Sequence, residues 1–216
     1  MQTYKGFQEY QIKKLFESIG SSEIDIRNKA AFHLMLFAGL RVSEASSFER
    51  SCYVDERKFL RCKRLKNSNT NNLYIDSAEC QYALDKWCSI RDKKYPNSKW
   101  LFPSPVKNGE THLDRRTFDR HLRKYCAAAG LFECQELWHC HSFKHTCGYR
   151  LANAGLNPRE MQFWLGHKSA SNTQIYTYLG MAQIRRIYCI RREYMKRLSK
   201  KLPLENGGFW GSHDKE

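Results

Sequence analysis

Apolar side chains recur at helical spacing from Phe7 to Ile19 (F-Q-E-Y-Q-I-K-K-L-F-E-S-I), and Gly20 ends the pattern, which predicts a surface helix over 7–19. A second helix is predicted over 25–38. Its last three turns are apolar almost all round, so it reads as the buried central element, interrupted by Gly39. Between Tyr53 and Asp76 the pattern shortens to K-F-L-R-C-K-R-L and N-L-Y-I around N-S-N-T-N-N, a β-hairpin with a polar turn. Helical spacing returns over 78–94. Pro96, Pro103 and Pro105 then punctuate a loop around W-L-F, which is expected to form a third short strand. Further helices are predicted over 114–129, with Asp114 as N-cap and Gly130 beyond the end, over 141–154, closed by Gly155, and over 158–165, opened by Pro158 and closed by Gly166. The last helix is predicted over 183–201, where Ile184, Ile187, Tyr188, Tyr194 and Leu198 form a stripe. Residues 203–216 are expected to be a disordered tail.

The 216 residues, 41% hydrophobic and 27% charged, suit one globular domain, expected to occupy 1–202. The richest apolar run, 30–40, is far shorter than the roughly 20 residues a membrane span needs. The N-terminus has no charged-then-apolar signal pattern, so the cytoplasm is the expected compartment, with nucleoid association in a bacterium. A surplus of 37 Lys and Arg over 22 Asp and Glu gives a net charge of +15, which suits a polyanionic partner such as nucleic acid. The basic residues cluster on the hairpin and on the 114–129 helix. Lys63, Arg64, Arg115, Arg116 and Arg120 are therefore the candidate DNA contacts. Nine cysteines, an odd number with no C-x-x-C pair, argue against a disulfide framework. Cys134, His139, Cys140, His141 and Cys147 are zinc-type ligands, but their spacing matches no closed site, so neither metal nor cofactor is expected.

Three short segments carry candidate chemistry. In H-S-F-K-H, His141 and Lys144 lie one helical turn apart, a proton-transfer group beside a fixed cation. In L-G-H-K-S-A-S-N-T-Q-I-Y-T-Y, His167 follows a helix-ending Gly and Tyr176 supplies a phenol able to attack phosphorus. In A-G-L-R-V-S-E, Arg41 follows the buried helix and Glu44 can orient its guanidinium. Each is modest alone.

Their order, spacing and intervening basic hairpin resemble the catalytic domain of the tyrosine recombinases, or phage-integrase family, over roughly 7–190. The absence of a DNA-clamping domain before that segment, the R-L-K-N hairpin and the stretch C-G-Y-R-L-A-N-A-G-L are most similar to the fimbrial-switch invertases; a truncated integrase would look the same. The resemblance implies a mainly α (α+β) fold, helices with a small three-stranded antiparallel sheet. It also implies a site-specific recombinase that cleaves and rejoins DNA through a 3′-phosphotyrosine, for integration, excision or inversion, without ATP or metal. Tyr176 would be the nucleophile, with Tyr178 its rival. Arg41 and Lys144 would hold the non-bridging oxygens, His167 would add a hydrogen bond and His141 would handle the phenolic proton. Lys66, with Lys63 in reserve, would protonate the leaving 5′-oxygen. The implied partners are double-stranded recombination sites, a homo-tetramer on DNA and accessory DNA-bending proteins, with no membrane. Lys144 stands where the family has its second Arg; it keeps the charge but lacks the planar bidentate fork. Slow cleavage, an attenuating change used to trap a complex, and a natural variant of adequate activity all fit that departure. A type IB topoisomerase and a weakened DNA-binding regulator on the same fold remain alternatives.

Overall fold

The computed structural model describes residues 5–54, 58–64, 70–167, 173 and 176. All lie in one compact unit spanning 1–177; the second unit, 178–216, falls outside them. Lys66, Tyr178, the helix expected over 183–201 and the tail expected over 203–216 therefore lie outside the described residues.

Helix α1 (Glu9–Ser18) buries Ile12 and Leu15. Helix α2 (Glu23–Ala38) begins at a capping box in which the Ser22 hydroxyl and the Asp25 amide and carboxylate satisfy each other, and it ends where Gly39 turns left-handed at φ 59°. Ala30, Ala31, Phe32, Leu34, Met35 and Ala38 of α2 are fully buried, as a helix apolar all round must be. Helices α4 (Ala78–Lys94) and α6 (His141–Asn153) pack along it. A short helix α3 (Val42–Ser46), not read from the sequence, follows directly after Arg41. Helix α5 (Arg115–Ala128) uses Asp114 as its cap and buries Phe118, Leu122, Tyr125 and Cys126. This leaves Arg115, Arg116 and Arg120 exposed. Helix α7 (Pro158–Leu165) has an Asn157–Glu160 capping box and ends at left-handed Gly166.

The sheet is antiparallel, in the order β1 (Tyr53–Val54), β2 (Phe59–Cys62), β3 (Asn71–Tyr74). Its third strand is thus Tyr53–Val54, not the expected W-L-F segment. Trp100 forms only a single bridge, to Glu49, because the chain at Arg50 tightens into a 3-10 turn (Arg50–Cys52) and Pro103 has no amide to extend a ladder. Leu60 and Cys62 point inward from β2 and Arg61 outward. That alternation runs on past the strand end, leaving Lys63 exposed and turning Arg64 into the interior.

Candidate active site

Gly39 ends α2 and the chain turns into α3, which sets Arg41 at the N-cap of that helix. The buried Glu44 accepts from the Arg41 backbone amide at 2.8 Å and from Nη1 at 2.9 Å, so one carboxylate fixes both ends of the residue. Burial by itself raises the Glu44 pKa, but the Arg41 amide and the charges of Lys144, Arg64 and Arg41 outweigh it and hold the carboxyl below its usual range. Arg41 remains half-buried with its guanidinium partly open.

Helix α6 carries His141, Lys144, His145 and Gly148. Tyr176 lies across it, only 3% exposed, and its ring occupies the space where a side chain on Gly148 would sit. The phenol shares a 3.1 Å hydrogen bond with His145 Nδ1. The ring stacks on His167 at 6.3 Å and 14°, and meets Tyr149 edge-on at 5.2 Å. His141 stands at the exposed edge, with its ring 4.8 Å from that of His145. His167 Nδ1 in turn bonds the buried Thr173 hydroxyl at 3.0 Å. Desolvation first, and then neighbouring cations or imidazoles, lower both His145 and His167 to about 4, so both rings are neutral donors or acceptors at physiological pH. Desolvation also pushes the Tyr176 phenol well above its ordinary value, opposed by the nearby charge of Arg41. His141, partly desolvated and beside Lys144, is likewise lowered.

Arg41, His141, Lys144, His167 and Tyr176 are therefore gathered in one cluster. Two of the sequence-derived expectations meet a different geometry. Lys144, expected on the phosphate, is 2% exposed, and its ammonium donates to the carbonyls of Gly39 at 2.7 Å and Leu165 at 2.8 Å. Arg64, expected on the DNA surface, has a fully buried side chain bonded to backbone carbonyls, Asn71 and Glu44, because strand alternation turns it inward. Lys63, Arg115, Arg116 and Arg120 are exposed, with Lys63 paired to Glu49 at 2.7 Å. His145, the phenol's partner, is not among the residues expected from the sequence, although its place one turn after His141 in H-S-F-K-H is a usable signal. Asn71 and Thr173 carried none. The eight described cysteines are free and buried, and among the described residues no three His, Cys, Asp or Glu side chains converge as a metal site. Among them, too, no helix is long and apolar enough to cross a membrane.

The model of the phage integrase family matches residues 5–183. Tyrosine recombinase XerC of Haemophilus influenzae (strain 86-028NP) is 26% identical over 184 residues, 85% of this chain and 60% of the relative. The chain thus spans less than two thirds of the XerC length. Type 1 fimbriae regulatory protein FimB of Escherichia coli (strain K12) is 31% identical over 169 residues, 77% of this chain and 80% of the relative. Among solved structures, XerA recombinase superposes with a TM-score of 0.70 at 25% identity, over 87% of this chain and 65% of that one. XerH site-specific recombinase bound to its difH substrate shares the fold, with a TM-score of 0.68 at 20% identity, over 85% of this chain and 53% of that one.

Proposed function

Because the chain belongs to the phage integrase family, we propose that it is a site-specific DNA recombinase that breaks and rejoins strands through a 3′-phosphotyrosine. The observation that carries the reading is the convergence of Tyr176, stacked on His167, with the partly open guanidinium of Arg41 and the ring of His141. In the reaction the Tyr176 oxygen bonds to phosphorus as the phosphorus–O5′ bond breaks. Arg41 carries the charge that gathers on the non-bridging oxygens, and neutral His167 donates a hydrogen bond to one of them. Once the ring has left His145, His141 at the solvent edge takes the phenolic proton. Lys66 delivers a proton to the departing 5′-oxygen. Since the phenol is buried and held by His145, it must leave that partner to reach a phosphate.

The exposed Lys63 and the arginines of α5 would grip the duplex backbone, with residues 1–202 as the catalytic domain. Assembly as a tetramer on paired sites, help from DNA-bending proteins and a cytoplasmic location belong to the same proposal. Incubation with supercoiled and two-site plasmids tests it. Inversion or excision with a covalent protein–DNA adduct is the expected result. Relaxation alone would indicate topoisomerase action, and retardation without an adduct would reduce the protein to a DNA-binding regulator.

A further inference from the structure

The C-terminal ends of α2 and α7 face each other. Both helices end in a left-handed glycine, Gly39 at φ 59° and Gly166 at φ 62°, and a Cβ on Gly39 would lie 2.5 Å from Leu165 Cδ2. Each glycine opens directly onto an active-site residue: Arg41 is two positions beyond Gly39, and His167 follows Gly166. Two helix C-termini each carry about half a negative charge, so their approach is repulsive unless a cation stands between them. Arg64 stands there. Its Nη2 donates to Ala38 O at 2.9 Å on α2 and to Trp164 O at 2.6 Å on α7, while Nη1 donates to Gly39 O at 3.3 Å. Its Nε donates to Asn71 Oδ1 at 3.1 Å. The Asn71 amide in turn donates to Phe163 O at 2.7 Å and Trp164 O at 2.9 Å. Lys144 makes a second crossing, from Gly39 O to Leu165 O. The Arg64 stem lies so flat on Gly166 that a Cβ there would be 2.5 Å from Nε.

We propose that Arg64 is a positioning residue, a clamp between the ends of α2 and α7 that sets how Arg41 and His167 converge, with Asn71 and Lys144 reinforcing it. It touches no phosphate, since its side chain is fully buried and every nitrogen has a protein partner. The consequence for catalysis rests on the recombinase reading above; the clamp itself does not. From this position the planar guanidinium reaches Ala38 O, Gly39 O, Trp164 O and Asn71 Oδ1 together, whereas an ammonium there would have three hydrogens on a single atom and could not keep all four.

The test is Arg64→Lys, with Asn71→Leu as a second variant that leaves Arg64 in the chain. In the free protein, amide hydrogen exchange at Gly166 and His167 should speed at least tenfold in each variant, while Ile26, at the far end of α2, exchanges as before. Affinity for a random-sequence duplex should stay within twofold, with an unchanged salt slope. On the duplex at which the unmodified protein forms its adduct, the adduct should form at least tenfold more slowly at saturating protein, measured well below the melting temperature. A merely stabilising residue would leave that rate intact. Unaltered exchange at Gly166 and His167, a wild-type adduct rate, or a salt slope lowered by about 0.9, the signature of one lost phosphate contact, would each overturn the clamp. Should the unmodified protein form no adduct on any DNA, the recombinase reading fails on its own, and the exchange measurement still decides for or against the clamp.

Discussion

Lys144→Met removes a buried ammonium and keeps the shape of the stem, and the clearest effect should be on how stability varies with pH. Burial first, and then the charge of Arg64, bring Lys144 from 10.5 to about 7 in the folded chain. Below pH 7 both states hold the proton and the full desolvation cost is present. Above it the folded state releases the proton while the unfolded chain keeps it to about 10.5, so stability rises with pH in that window. Integrating the difference in bound protons, the unmodified protein gains on the order of 1 to 2 kcal/mol between about pH 7 and 8.5 that the methionine variant does not. The neutral amine still has two hydrogens for Gly39 O and Leu165 O, so the gain brings no loss of bonding. Buried thiols such as Cys62 and Cys147, pushed up to about 11 and about 12, act in the opposite direction only once the unfolded thiols ionise, near pH 9. Histidines, ordinarily near 6.5 and lowered here, are neutral in both the folded and the unfolded chain over most of that window. Urea unfolding under reducing conditions, repeated across the window, should therefore give curves that diverge with pH. Parallel curves would refute a buried Lys144 and return its ammonium to solvent or to the phosphate.

Tyr176→Phe should abolish the covalent adduct on a denaturing gel, yet destabilise the protein by only about 1 kcal/mol, the worth of its bond to His145; a persisting adduct would remove Tyr176 as nucleophile. Gly166→Ala should lower stability by about 2 kcal/mol or more, since it forces a left-handed alanine against Arg64. An unchanged melting temperature would contradict that packing. His33, His145 and His167 are each lowered to about 4 by burial, so stability present above pH 6.5 should be lost as pH falls toward 4, by up to about 1.4 kcal/mol per pH unit for each ring. A His167→Asn variant should lose that ring's share of the slope, and an equal slope would mean that His167 titrates as if exposed. Arg115→Ala and Arg116→Ala should each reduce the salt slope of duplex binding by about 0.9, and no change in either would take α5 off the DNA.

The sequence by itself determined what depends on neighbours along the chain. The end of α2 at Gly39, the start of α5 at Asp114 and the bounds of α7 at Pro158 and Gly166 were legible, because capping, a fixed proline φ and glycines that turn left-handed without strain are local matters of hydrogen bonding and φ. The pairing of Arg41 with Glu44 was legible for the same reason, three residues apart at a helix start. Even the burial of Arg64 had a local signal, the alternation of Leu60, Cys62 and Arg64, which the weight of positive charge around it overrode. Only the tertiary structure decided where Arg64 and Lys144 turn. Ala38, Gly39, Trp164 and Leu165 present unpaired carbonyls at helix ends far apart in the chain, and nothing in either segment announces that the two ends meet. Once packing brings them together, the repulsion of their dipoles draws in Arg64 and Lys144, and side chains that composition would assign to DNA become part of the interior.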